Sequence, residues 1–362
     1  MYLMKVFFDV LHLYYLPQYL PVYKHLVDKG AAVCFVFYAD QDKALVKASQ
    51  KAIDTEQLPV HWLNSEKDAL DFYRQCDGDW IIFGKAFAQM QLLNQSKKTA
   101  LMQHGIGPKA CYYDASHNAA SVRFVEGEHR LQRLESLYPD DRFVDTGYAK
   151  LDPLLHSGAL ASQPSLEGLG LDSTKPTLLY APTFYPSSIE MMDKNWVDEY
   201  AHCNIIIKPH FFSLTKKKYK KQQQLLSRWA QRENVYVAGV TDYNLVPFMA
   251  LADVLISDAS SAIFEFFALE KPVIWCNFYK LRWSYRGPFA YRFKARLDSD
   301  IDYFNALTFK VDKVKQLPGA IEQALSQPQA KHNQDNIKTI TKLAGKLDGL
   351  SSQRIVSFLY DN

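Results

Sequence analysis

The stretch Ala252–Asn277, ADVLISDASSAIFEFFALEKPVIWCN, constrains this chain more than any other. Val254–Ile256 is a short apolar run suited to a buried strand. Asp258 through Ser261 is a polar turn, and Ala262–Leu269 follows with helical spacing at Ile263, Phe264, Phe266 and Phe267. Glu270-Lys271-Pro272 stops that helix, and Val273–Trp275 reads as a second buried strand. A strand–turn–helix–strand unit of this kind implies an open α/β sheet, which binds ligands at the carboxyl edge of its strands. Ser260 and Ser261 sit where a helix presents unpaired N–H groups and the positive end of its dipole, a place that favours an anion. The same serines can equally be a plain helix cap. Glu265 lies one residue too far on to complete a capping box with Ser261.

The rest of the chain repeats the alternation. Strands are expected at Met4–Val10, Ala32–Tyr38, Val60–Leu63, Trp80–Phe83, Thr99–Met102 and Phe143–Thr146. Helices over His12–Val27, Lys43–Ile53 and Glu66–Cys76 separate the earlier ones. Segment 151–175 holds prolines, glycines and serines with little periodicity and reads as a linker or crossover. Strands Thr177–Tyr180, Asn204–Lys208 and Val235–Val237 then lead to the central unit, with a long basic helix over Leu214–Glu233 and another over Leu245–Leu251. Arg282–Arg296 is a basic, aromatic loop. Helices are expected at Val311–Ser326 and Ser351–Tyr360, with a further helical stretch between them. A length of 362 residues accommodates two such domains. The organisation expected is therefore a Rossmann-like domain over 1–150, the crossover, a second Rossmann-like domain over 176–345, and a C-terminal helix within 346–362 that packs back on the first domain. The two doubly wound parallel sheets are expected to face a cleft. Five cysteines without a C-x-x-C pair argue against a disulfide framework or zinc ribbon and fit reduced, mostly buried thiols in a cytoplasmic protein. No apolar run reaches membrane-spanning length, and the N-terminus goes straight into a strand pattern without a signal peptide's shape.

Further polar spots fall at the carboxyl ends of expected strands. Gln103-His104-Gly105-Ile106-Gly107-Pro108 follows one of them. Gly105 lets the backbone turn sharply or approach a ligand. His104 suits a general base, since an imidazole ordinarily titrates at about 6.5, or is a loop histidine satisfied by a backbone carbonyl. The formal G-x-G-x-x-A at Gly105, Gly107 and Ala110 is interrupted by Pro108 and is no dinucleotide fingerprint. Lys208-Pro209-His210 places a cation beside an imidazole, a pair able to donate to phosphate oxygens. Thr183 in Tyr180-Ala181-Pro182-Thr183 can donate to a ligand or cap a turn. There is no P-loop, no H-E-x-x-H and no G-x-S-x-G, and none of the D-x-D pairs directly ends a strand, so a bound metal is not expected. Lysines 216, 217, 218, 220 and 221, with Arg282, Trp283, Arg286, Arg292 and Arg296, can meet solvent, an anionic membrane or a polyanionic acceptor. No nucleic-acid-binding module is present, and no nucleic-acid partner is expected.

In order and spacing these pieces resemble the CDP-glycerol glycerophosphotransferase family, the teichoic-acid primases and polymerases of GT-B fold. The matching pieces are His104-Gly105, Gly147-Tyr148 with Asp152, Tyr180-Ala181-Pro182-Thr183, Lys208-Pro209-His210, Asp242 and Ser257-Asp258-Ala259-Ser260-Ser261. The last runs into Phe264-Glu265 and Lys271-Pro272. The chain departs from the family at Ile106-Gly107-Pro108-Lys109 and in having Glu265 where an aspartate is frequent. The resemblance implies transfer of glycerol phosphate, or a related alditol phosphate, from a CDP-linked donor to an acceptor hydroxyl, with release of CMP. It implies His104 and His210 as catalytic groups, and Ser260, Ser261, Thr183, Lys208, Asp258 and Asp242 around the donor phosphates. His12 and Gly105 would lie on the acceptor side. No cofactor is implied, the acceptor would be a glycan or lipid-linked glycan, and the enzyme would be cytoplasmic, with peripheral attachment to the inner membrane face. The same layout also serves a glycosyltransferase using a nucleotide sugar, a nucleotide-sugar 2-epimerase, or a silent nucleotide-binding scaffold.

Overall fold

The computed structural model describes residues 3–155 and 164–362. Part of the crossover expected at 151–175 thus lies outside the described residues. The chain forms two compact units. One comprises the described residues of Met1–Ile106, Tyr112–Ala159 and Thr341–Asn362, the other those of Gly107–Cys111 and Leu160–Ile340.

In the first unit the apolar runs become strands β1 (Lys5–Asp9), β2 (Ala32–Tyr38), β3 (Val60–Leu63), β4 (Trp80–Phe83), β5 (Lys98–Met102), β6 (Val122–Val125) and β7 (Phe143–Asp145). They form one sheet in the order β3-β2-β1-β4-β5-β6-β7, every pair parallel. The second unit contains β8 (Thr177–Ala181), β9 (Asn204–Ile207), β10 (Val235–Val237), β11 (Val254–Ser257), β12 (Val273–Cys276) and β13 (Phe309–Val311). Their order, β10-β9-β8-β11-β12-β13, is again wholly parallel. Parallel neighbours need a crossover, so each sheet is buried between connecting segments, and β4, β8, β9, β11 and β12 are buried at every position. In both sheets the order in which strands are added reverses beside the first strand, between β1 and β4 and between β8 and β11. At such a switch point the loops on either side diverge and leave room for a ligand.

Four expectations need correction. Strand β6 and the helix Gly127–Leu137 were not legible because Arg123 interrupts the apolar run; its guanidinium is buried and donates to the Tyr112 carbonyl at 2.6 Å and to Asn118 Oδ1 at 2.9 Å. The helix expected from Val311 starts only at Leu317, because Phe309–Val311 pairs with β12 as an edge strand. The long basic helix Leu214–Glu233 is broken. Lys216 is extended between helices Phe211–Thr215 and Lys220–Trp229, and Gln223 donates to the Leu214 and Lys216 carbonyls that the break leaves open. Of the cysteines, only Cys203 and Cys276 are buried; Cys34 and Cys76 are half-buried and Cys111 is exposed.

The C-terminal helix Ser351–Asp361 belongs to the first unit. Asp152 accepts from the Ser352 N–H at 2.7 Å, the Ser352 hydroxyl at 2.6 Å and the Ser351 N–H at 3.2 Å, satisfying the orphan donors at that helix start. Gly147, at φ +79°, lets the chain pass so closely that a Cβ there would lie 2.6 Å from Ser351 Oγ. Gly147 and Asp152 therefore serve the docking of this helix.

Candidate active site

In the first unit, three loops leave the carboxyl ends of the adjacent strands β1, β4 and β5, carrying His12, Gly84-Lys85 and His104. His104 Nδ1 lies 3.0 Å from the Gly84 carbonyl oxygen. A carbonyl only accepts, so Nδ1 carries the proton and, in the neutral ring, the lone pair is on Nε2. That is the tautomer a general base needs. The His104 ring packs against Tyr14 and Tyr15, with centroids 5.1 and 5.2 Å away, and edge-on to Tyr112 at 6.3 Å. Its own carbonyl accepts from Tyr148 Oη at 3.1 Å, which ties Gly147-Tyr148 to the histidine's backbone. Gly84 has to be small here, since a Cβ would lie 2.5 Å from the Tyr15 ring. His12 stacks on Tyr14 at 5.0 Å and meets Tyr15 edge-on at 5.5 Å. Burial, reinforced by the nearby Lys85 charge, pushes its pKa down to about 4, so it is a neutral ring at neutral pH. The structure thus brings His12 and His104 together around two tyrosines. Gly105 is buried beside His104.

In the second unit, the loops after β8, β9 and β11 carry Thr183, Lys208 with His210, and Asp258 through Ser261. Asp258 is buried. Its Oδ2 accepts from the Thr183 N–H at 2.9 Å and hydroxyl at 3.0 Å, and its carboxylate also accepts from the Ser188 N–H at 3.2 Å. Burial pushes its pKa up to about 6, against the pull of these hydrogen bonds from Ser188 and Thr183. Asp258 therefore fixes the loop Thr183–Ser188, across the switch point, and the Thr183 hydroxyl is engaged with it. Ser260 is the helix N-cap, its Oγ accepting from the Ala262 N–H at 3.3 Å. Ser261 opens the helix. Gly107, which belongs to this unit, lies so close that a Cβ on it would sit 2.9 Å from the Ser261 nitrogen. That contact, and not a dinucleotide fingerprint, accounts for the second glycine of Gly105-Ile106-Gly107.

His210 caps the helix Phe211–Thr215, its Nδ1 accepting from the Phe212 N–H at 3.1 Å. In the neutral ring the proton is consequently on Nε2, the tautomer opposite to that of His104. Phe184 and Phe212 hold the ring with centroids 4.5 and 5.1 Å away. Lys208 directly follows β9, with its N–H bonded to the Tyr180 carbonyl at 2.8 Å. Asp242 closes the turn after β10, accepting from the Gly239 N–H at 2.7 Å and Tyr236 Oη at 3.0 Å. Lys271 caps the carboxyl end of the helix Val246–Leu251 by donating to the carbonyls of Met249, Ala250 and Ala252. Glu265 is fully buried. Sequence reasoning did not single out Gly84, Tyr14, Tyr15 or Ser188. Gly84 follows an expected strand and Tyr14 and Tyr15 open an expected helix, but only the packing shows that they hold His104. Among the described residues, no group of three or more His, Cys, Asp or Glu side chains is placed to hold a metal ion.

The fold is shared with proteins of low sequence identity. The wall teichoic acid polymerase TagF superposes with a TM-score of 0.64 at 16% identity, over 99% of this chain and 88% of that one. The UDP-GlcNAc 2-epimerase from Neisseria meningitidis, bound to UDP-GlcNAc, gives 0.62 at 16% identity, over 99% and 100%. A glycosyltransferase from Rickettsia africae gives 0.54 at 13%, over 100% of both chains. These likenesses fix the two-domain GT-B-like architecture. No curated protein matches the chain in sequence. The family model of the CDP-glycerol:poly(glycerophosphate) glycerophosphotransferases matches residues 113–360, more than half of the chain and all of β8 to β13. With its sheets, its switch-point loops and this match, the chain belongs to the CDP-glycerol:poly(glycerophosphate) glycerophosphotransferase family and is a transferase.

Proposed function

We propose that the protein moves glycerol phosphate from CDP-glycerol to a hydroxyl of a glycerophosphate-type acceptor, with His104 as the base and the second unit holding the donor pyrophosphate. The observation that carries this reading is the opposite tautomers of the two histidines. The acceptor oxygen attacks the phosphorus that bears glycerol, the P–O bond to CMP breaks, and the acceptor's proton passes to His104 Nε2. His210 donates from Nε2 to a phosphate oxygen, beside Lys208 and the hydroxyl and N–H groups of Ser260 and Ser261. These donors offset the negative charge that grows on the departing CMP. Asp258 and Asp242 act by ordering their loops, and Thr183 contributes the loop that Asp258 holds. His12 and Gly105 shape the acceptor side. Donor–hydroxyl stabilisation takes the place of a metal ion, so transfer should survive a chelator.

We further propose that the enzyme works against the inner face of an anionic membrane. All five lysines between 216 and 221 are exposed, and in the basic, aromatic segment 282–296 Trp283 is 78% exposed and Tyr291 61%. No helix among the described residues is long and apolar enough to cross a membrane.

The test offers CDP- and UDP-linked donors with and without a glycerophosphate acceptor, in the presence of EDTA. CMP release from CDP-glycerol only with acceptor is the expected result; UDP release, or UDP-sugar interconversion without nucleotide release, overturns the reading. His210→Ala and the pair Ser260→Ala/Ser261→Ala should lower kcat/KM roughly a hundredfold or more. His104→Ala should lower kcat by about a hundred- to ten-thousandfold with calorimetric donor affinity retained.

A further inference from the structure

A cavity of about 370 Å³ opens in the first unit among the segments that follow β3, β4 and β5. Its floor is apolar, from Phe87 and Met90, which are 7% and 2% exposed. Its rim is polar, from Glu66, Lys85, Gln91 and Ser116. Lys85 Nζ and Glu66 Oε1 are 3.2 Å apart, and both side chains are over a third exposed, so each retains contact with solvent. The cavity shares its loops with the base. Lys85 is the residue after Gly84, whose carbonyl fixes the His104 tautomer, and the Lys85 and Glu66 charges both act on His12. The loop that supplies Ser116 also carries Tyr112, which packs on His104.

We propose that this cavity is the acceptor subsite and takes the end of a polyol-phosphate chain, an inference that rests on the transferase reading above. Such a chain end alternates short carbon segments, hydroxyls and a singly charged phosphodiester. The carbon face lies on Phe87 and Met90. Hydroxyls donate to Glu66 and exchange hydrogen bonds with Gln91 and Ser116. A phosphodiester oxygen accepts from Lys85, which the salt bridge to Glu66 already orients. A nucleotide fits this lining poorly, because a pyrophosphate would meet one ammonium and an opposing carboxylate. The second unit, by contrast, offers His210, Lys208 and the serine turn. The site therefore selects the acceptor and leaves the donor to the other unit.

The experiment has two arms on the full chain. In the first, a synthetic glycerol-phosphate trimer is titrated calorimetrically into the protein without donor. In the second, its KM is measured in CDP-glycerol turnover. Lys85→Met should weaken trimer binding and raise trimer KM by tenfold or more, with donor KM within twofold of wild type, and Lys85→Arg should restore most of both. Gln91→Ala, on the exposed rim, should give a smaller rise of the same kind. Trimer binding and KM within twofold of wild type in folded Lys85→Met overturns the proposal, as does a rise in donor KM instead. Failure of wild type to release CMP from CDP-glycerol, with Lys85-dependent trimer binding intact, removes the transferase reading and keeps the subsite. Absence of trimer binding in a wild type that releases CMP removes the subsite alone.

Discussion

Two glycines show how single residues set the chemistry on each side. Gly84 must lack a Cβ because Tyr15 fills that space, and its carbonyl is what holds the proton on His104 Nδ1. Gly107 must lack one because the Ser261 backbone lies against it. Neither has a positive φ, so the constraint is contact and not backbone strain. Replacing either by alanine should therefore act locally and differently. Gly84→Ala displaces Tyr15 or the carbonyl, and misplacement of a base by about 1 Å can cost up to a hundredfold in rate. We expect kcat to fall roughly ten- to a hundredfold with donor KM near wild type, and the pH–rate profile to change shape. Gly107→Ala displaces the serine turn and should raise donor KM instead. Steady-state kinetics of the two variants separates the effects; the same change in both parameters for both variants would contradict the division of labour between the units.

At the scale of elements, buried polar side chains tie the strands to their helices. Asp9, ending β1, accepts from Tyr38 of β2 and, at 2.8 Å, from Tyr73 of the helix Ala69–Gln75; its carbonyl accepts from Tyr19 of the helix Leu16–Asp28 at 3.2 Å. Burial outweighs these hydrogen bonds and pushes the Asp9 pKa up from 3.8 to about 6. Between these values the native state keeps a proton that the unfolded chain releases, so this group's contribution to stability falls as pH rises through the window. A shift of this size corresponds to about 3 kcal/mol. An asparagine side chain in this position cannot titrate, and the tyrosine hydroxyls can rotate to meet its amide. The stability of Asp9→Asn relative to wild type should therefore improve by about 3 kcal/mol between pH 4 and pH 7. Urea denaturation at the two pH values measures it; a difference independent of pH would show that Asp9 is ionised in the native state throughout.

At the scale of the whole molecule, the basic residues matter through number and exposure. Each Lys or Arg near an anionic surface contributes about 1 kcal/mol, so the lysines of 216–221 together exceed what a single site offers. The break at Lys216 distributes them over an extended residue, a short turn and a helix start. In the 282–296 segment, Arg282 is anchored over the Tyr185 ring at 4.1 Å while Trp283 is exposed. Co-sedimentation should show binding to vesicles containing phosphatidylserine or phosphatidylglycerol, lost at high salt and absent with neutral vesicles. Replacement of the five lysines by glutamine should abolish it. Equal binding to neutral and anionic vesicles would remove the idea.

Sequence alone determined the two parallel sheets, because strands buried on both faces must be short unbroken apolar runs, and helices between them carry a different period. β2, β3, β4 and β10 run over the same residues that the pattern marks. It also located the polar residues at strand ends, since that is where an apolar run stops and a loop begins. Where a buried polar residue broke the pattern, as Arg123 does in β6, the element was hidden. What a strand-end residue touches was decided only in three dimensions. The His104 tautomer depends on a carbonyl twenty residues away in the chain, and the Asp258 carboxylate on a loop that begins at Thr183. The resemblance grouped Gly147 and Asp152 with the functional pieces, whereas the fold gives them to the docking of a helix that starts at Ser351. Periodicity records whether a residue faces the core. It carries no information about which distant partner a hydrogen bond or a close contact will meet, and only the tertiary structure supplies that.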